Sequence, residues 1–194
     1  MKLIIVRHGE TLGNASGIIE GHLHGKLSQK GIEQAKKLAL RLKEESINHI
    51  FCSDLTRAIE TLKEIKIYHS KVPLLITKNL RETFFGSWEG KSREEAGFKE
   101  GYKPPLPQDA ETREELYNRA KTFLQEITEK YNDKTILLVT HNATIKALIT
   151  ALNNKTHEDI KNIETQHNAG INIFELSTNK EYKNTLYNCR AHLD

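Results

Sequence analysis

The chain has 194 residues, 37% of them hydrophobic and 28% charged, with a formal net charge of +3. That length suits one domain around one sizeable core, and so mild a positive charge does not call for nucleic acid as a partner. No apolar stretch reaches the roughly 18 residues of a membrane span, the amino-terminal run is too short for a signal peptide, and Cys52 and Cys189 make no disulfide framework, so a cytoplasmic protein with two reduced, buried thiols is expected.

Short apolar runs alternate with stretches of helical spacing. Leu3–Val6 reads as a strand that ends on Arg7 and His8. From Ser28, a candidate N-cap, to about Glu45, the residues Ile32, Ala35, Leu38, Ala39 and Leu42 share one helix face. His49–Ser53 reads as a strand, 54 to about 67 as a helix capped by Ser53 or Asp54, and Pro73–Thr77 as a strand. Leu116, Ala120, Phe123, Leu124, Ile127 and Tyr131 mark another helix. Thr135–Val139 reads as a strand running into Thr140 and His141, Ala143–Leu152 as a helix and Thr156–Glu164 as a short one. Ile171–Leu176 and Asn184–Cys189 read as late strands.

This alternation predicts an α/β fold, a three-layer α/β/α sandwich with a mostly parallel central sheet. The unbroken apolar runs predict that both sheet faces are covered. One stretch breaks the rhythm. Phe84–Thr112 holds Pro104, Pro105 and Pro107 together with Gly86, Gly90, Gly97 and Gly101. It reads as a lid-like insertion at about 83–111 within a single domain spanning 1–194.

In open α/β sheets, ligands bind beyond the carboxyl ends of the strands. Arg7, His8 and His141 stand at that edge, and if their strands are neighbours both imidazoles face one pocket. A basic residue after a strand is ordinarily a solvated loop residue, so the pair alone decides little. Arg57 follows the second strand in the first turn of a helix, where a cation opposes the helix dipole; an anion to hold would explain it. Glu82 follows the third strand at the same edge, where a solvated carboxylate is the plain alternative.

Together, Arg7–Thr11 with Asn14 (RHGET…N), Leu27–Ala35 (LSxxGxxQA), Ser53–Thr61 (SDLxRAxET), Leu80–Gly90 (LRExxFGxWEG) and Thr140–Asn142 (THN) resemble the histidine phosphatase superfamily, the phosphoglycerate mutase-like group, in order along nearly the whole chain. The resemblance implies catalysis through a phosphohistidine. His8 is then the nucleophile and Glu82 the general acid and base, shielded by the lid. Arg7, Asn14, Arg57 and a protonated His141 hold the phosphoryl oxygens, which two arginines and an imidazolium can do with no metal and no cofactor. Glu10 and Thr11 are expected to orient the site. The implied partner is a small anionic phosphomonoester.

The sequence departs from the family pattern around Glu20, Gly21 and His22, where a neutral residue usually precedes the glycine. These three are expected near the substrate, with a carboxylate close to the phosphate pocket. Glu20, His22 and His24 alternate in a way that could suggest a metal, but an exposed loop or pocket rim is the preferred reading. Lys146 stands where arginine is usual, which bears on substrate choice. A phosphatase acting on a small metabolite, such as a sugar phosphate, is the expected function. A cofactor-dependent phosphoglycerate mutase is the alternative, and a non-catalytic phospho-ligand module the third. The mutase is disfavoured because the segment from Glu82 to Thr112 is short and Phe85 stands where mutases tend to have tyrosine. Lys91, Arg93, Lys99 and Lys103 in that segment keep it in play.

Overall fold

The computed structural model describes residues 1–176 and 181–194. Among the described residues there are six strands: β1 (Lys2–Arg7), β2 (His49–Ser53), β3 (Leu74–Thr77), β4 (Thr135–Thr140), β5 (Ile171–Leu176) and β6 (Tyr182–Cys189). They make one sheet in the order β3-β2-β4-β1-β5-β6. The pairs among β3, β2, β4 and β1 are parallel, whereas β5 and β6 add on antiparallel. This is the three-layer, mostly parallel arrangement anticipated above.

Alternation along the strands divides the core in two. Leu3 and Ile5 of β1 and Ile136 and Leu138 of β4 pack with α4 (Arg113–Lys130) and α5 (Asn142–Leu152). Ile4, Val6, Leu137 and Val139 face the other way, onto α2 (Gln29–Leu42) and α3 (Thr56–Tyr68). A strand covered on both faces has no position left for a polar residue, which is why these runs are continuously apolar. β3 departs from that expectation. It is an edge strand, and Leu74, Leu75 and Ile76 are exposed.

Of the two helix caps expected from the sequence, the one at Ser28 forms and the one at Ser53 or Asp54 does not. Ser28 caps α2 by accepting from the Gly31 N–H. The one-turn helix α1 (Leu12–Ala15) is capped by Thr11, and α4 by a Thr112–Glu115 capping box. The expected cap on α3 is absent. Its N-cap is Leu55, with no side-chain bond. Asp54 instead receives a two-pronged bond from Arg81, with Nε and Nη2 at 2.7 and 2.6 Å. The residues expected to form a short helix at 156–164 form a 3₁₀ turn, His157–Asn162. Cys52 is buried and Cys189 half-buried, and both are free thiols.

Candidate active site

The parallel register lays the motifs side by side. Arg7 is level with Thr140, so His8 and His141 leave neighbouring strands together, their ring centroids 5.0 Å apart. β2 flanks β4 on the other side, and Ser53 Oγ lies 2.7 Å from His141 Nε2. Arg57, in the first turn of α3, reaches back over this edge with Nε 3.3 Å from His8 Nε2. The side chains of His8, Ser53, Arg57 and His141 are nearly inaccessible to solvent, and that of Arg7 is largely so.

His8 has its tautomer set by its neighbours. Nδ1 lies 2.7 Å from the carbonyl oxygen of Gly9, which can only accept, so Nδ1 carries the proton. Nε2 is left with its lone pair, toward which Arg57 Nε–H points. Burial, then the Arg57 and Arg7 guanidiniums, hold the imidazole well below the usual histidine range, so it is neutral. His141 is likewise neutral, through burial first and then Arg57, His8, Arg7 and Arg119. With two guanidiniums beside it and no phosphate bound, a further positive charge is unfavourable; the protonated His141 expected above belongs to a site that holds a phosphoryl group. His141 Nδ1 and Arg7 Nε are both buried with no hydrogen-bond partner among the described residues.

Glu82 enters from the loop after β3. Its carboxylate accepts from the Thr83 N–H at 2.9 Å and from the Ala143 N–H, in the first turn of α5, at 3.0 Å. Its main chain is fixed from several sides. Arg119 on α4 donates to the carbonyl oxygens of Asn79, Arg81 and Glu82 at 2.8, 3.0 and 3.4 Å, and pairs with Glu111. Thr140 donates to Leu80 O at 2.7 Å, and Thr144 to Arg81 O. His22 Nε2 lies 2.8 Å from Glu82 O.

Glu20, His22 and His24 do not converge. Glu20 is buried and turns inward, accepting from Thr11 Oγ1 at 2.7 Å and Asn14 Nδ2 at 3.2 Å. His22 packs beside Phe84 with its ring tilted and binds the Glu82 main chain, while His24 is exposed and meets Thr56 Oγ1. The preferred reading of an exposed loop or rim therefore fails for Glu20 and holds for His24. Gly21 has φ +49°, and a Cβ there would sit 1.9 Å from Glu89 Oε1. Its carbonyl oxygen and that of Leu23 accept from the two terminal nitrogens of Arg57, at 2.7 and 2.8 Å.

The remaining motif letters brace this arrangement. Thr61 Oγ1 accepts from Gly9 N–H, Gln34 Oε1 from Glu10 N–H, and Glu60 from Leu27 N–H. Glu10 holds Ser28 and Lys30, which suits an orienting role. Glu89 accepts from His22 and Phe85 N–H groups, joining the 20–22 loop to the 83–111 segment. That segment also pairs its backbone with Gly17 and Ile19. Lys146 is half-buried on α5. Burial, then Lys103 and Arg113, hold its ammonium below the ordinary lysine range, while Glu82 opposes them.

Several residues of the site carry no signal in the local pattern. Asn168 bridges the His8 carbonyl and Asn14 Oδ1. Gln166 takes Arg7 Nη1 on its carbonyl oxygen at 2.6 Å and is held in turn by Asn142 and Asn172. Arg119 belongs to the same set. The polar run Thr165–Asn168 just before β5 was the available hint.

A buried neutral imidazole, two guanidiniums, a second histidine and a carboxylate thus gather at one edge of the sheet. The chain matches the histidine phosphatase superfamily (branch 1) over residues 3–189, and it belongs to that superfamily. It is 32% identical to phosphoglycerate mutase-like protein 4 of Arabidopsis thaliana, over all of this chain and 87% of that one. It is 29% identical to the adenosylcobalamin/alpha-ribazole phosphatase of Escherichia coli (strain K12), covering 78% of this chain and 79% of the relative. The solved structure of phosphoserine phosphatase from Entamoeba histolytica in complex with 3-phosphoglyceric acid superposes with a TM-score of 0.85 at 28% identity, covering 99% and 98% of the two chains. Among the described residues no helix is long and apolar enough to cross a membrane.

Proposed function

We propose that this protein is a phosphomonoesterase that hydrolyses a small phosphorylated metabolite, such as a sugar phosphate, through a phosphohistidine on His8. The observation that carries the reading is the state of His8: neutral, with Nδ1–H tied to Gly9 O and the Nε2 lone pair directed into a cluster of cations. A neutral imidazole is a nucleophile, and an imidazolium is not.

In the first step the Nε2 lone pair attacks phosphorus. The P–N bond forms, the P–O bond to the alcohol breaks, and the leaving oxygen takes a proton from the Glu82 carboxyl. In the second step the Glu82 carboxylate removes a proton from water as the water oxygen attacks phosphorus. The P–N bond breaks, giving inorganic phosphate, neutral His8 and a protonated Glu82. Arg7, Arg57, Asn14 and His141 hold the charge spread over the phosphoryl oxygens. The buried, unpartnered Arg7 Nε and His141 Nδ1 suit that task. Phosphatase names among the relatives support hydrolysis.

A mutase is the second reading, favoured by Lys103, Arg113 and Lys146, whose charges oppose one another, Lys146 also feeling Glu82. Such a group of cations would suit a substrate with a second acidic group. The test is to supply 3-phosphoglycerate with catalytic 2,3-bisphosphoglycerate, and separately a panel of phosphorylated metabolites, and to follow free phosphate. Hydrolysis of a panel member faster than any isomerisation is expected, with an acid-labile, alkali-stable phosphoenzyme that is absent from His8→Ala. Isomerisation outpacing every hydrolysis would establish the mutase, and a phosphoenzyme in His8→Ala would remove His8 as nucleophile.

A further inference from the structure

Glu20 is a carboxylate placed where phosphate is expected to bind. It is 9% exposed. Its Oε2 accepts from Thr11 Oγ1 at 2.7 Å and from Asn14 Nδ2 at 3.2 Å, and lies 4.0 Å from Arg57 Nε. That same Arg57 Nε is 3.3 Å from His8 Nε2. Glu20 therefore stands one guanidinium nitrogen away from the proposed nucleophile. Two of its partners, Asn14 and Arg57, are the donors assigned above to the phosphoryl oxygens.

The surroundings are shaped to it. Gly13 and Gly25 line the carboxylate, and a Cβ would come within 2.7 Å of it at Gly13 and within 1.8 Å at Gly25. Thr11, whose hydroxyl binds it, is the N-cap of α1, and Asn14 closes that same capping box. After burial, Glu20 is the leading electrostatic influence on Arg57, and it acts on Arg7 as well.

Building on the reading of this pocket as a phosphate site, we propose that Glu20 is a resident anion that competes with phosphate for Arg57 and Asn14 and so sets how weakly the enzyme holds substrate phosphate and product phosphate. A carboxylate and a phosphate dianion drawn to the same two donors repel each other, and in a buried site that repulsion is poorly screened. The charge is present both before and during phosphoryl transfer, so its main effect falls on binding rather than on the chemical step. The benefit is release of inorganic phosphate from a pocket that two arginines would otherwise make retentive. Glu20 is thus a positioning and affinity-setting residue, not a catalytic one.

The test compares wild type with Glu20→Gln and Glu20→Ala, using inorganic phosphate and orthovanadate as probes by calorimetry and as competitive inhibitors. Both variants are expected to bind phosphate at least tenfold more tightly, and KM is expected to fall by a similar factor. A merely structural role predicts the reverse, since damage to a pocket weakens binding; tightening cannot come from misfolding. If Glu20→Gln fails to fold, the smaller Glu20→Ala carries the same test. Unchanged or weaker phosphate binding in a folded variant, with normal phosphate inhibition of wild type, overturns the role of Glu20 alone. Wild type that neither binds phosphate nor turns over any phosphomonoester overturns the reading of the pocket, and this inference with it.

Discussion

The backbone N–H of Ala143 donates to the Glu82 carboxylate at 3.0 Å, in the first turn of the helix whose N-cap is His141. One helix start thus positions both the proposed acid and the second histidine. Glu82→Gln keeps the shape but removes the transferable proton. It is expected to slow phosphoenzyme formation about 10²–10⁴-fold on alkyl phosphates and far less on aryl phosphates, whose leaving groups need little protonation. Single-turnover quench measurements on both substrate types check this. Equal loss on the two would take Glu82 out of the acid role.

Arg119 should share that signature although its hydrogen bonds among the described residues go to backbone carbonyls and Glu111. Its fork spans the carbonyls of Asn79, Arg81 and Glu82, a geometry lysine cannot reproduce. Arg119→Lys is expected to lower kcat about 10–100-fold on alkyl phosphates, as a small displacement of the acid would, with KM nearly unchanged. A uniform fall on alkyl and aryl substrates would mean that Arg119 supports the fold without aiming Glu82.

Much of this site could be read from the sequence because its motifs are short and each sits at one strand end. Arg7, His8 and His141 come together through parallel register, and Arg57 and Glu82 follow strands that end at the same edge. The rest depends on pairings between distant segments. Asp54 reads as a helix cap locally, but Arg81, 27 residues on, binds it with two charge-assisted bonds and outcompetes the cap. Glu20 reads as a loop carboxylate until Thr11 and Asn14 draw it inward. Arg119 sits on a helix face with no local mark of its task. β3 is apolar enough for a central strand, and only the strand order shows it to be an edge.

The glycine in the LSxxG stretch gives a sign test. In an ordinary helix, alanine for glycine stabilises by up to about 1 kcal/mol. At Gly31 an added Cβ would lie 1.9 Å from the Glu10 carbonyl oxygen, and at the facing Gly9 one would lie 2.4 Å from Gly31 O. Both obstacles are backbone, so the loop carrying His8 must shift. Gly31→Ala is therefore expected to destabilise by about 1–3 kcal/mol and to reduce kcat at least tenfold. Urea unfolding and steady-state kinetics measure the two effects; a gain in stability would show that the loop and helix can separate without cost.

Stability should fall on mild acidification through His8 and His141. Burial and the cations Arg7 and Arg57 depress both pKa values in the folded protein, with Arg119 adding to the effect on His141. The unfolded chain takes up these protons at its ordinary pKa of about 6.5, while the folded one refuses them. The stability gained by keeping both rings neutral is complete above that pH and is lost as pH falls toward the folded values. Two such protons give a slope of up to about 2.7 kcal/mol per pH unit. Asp54, held low by Arg81, loses its contribution only at more acid pH. His192, also depressed by burial, adds a share of its own. Urea midpoints between pH 7.5 and 5 should therefore drop steeply in wild type, less in His8→Asn or His141→Asn, and least in the double variant. A double variant with the wild-type slope would place the missing protons elsewhere.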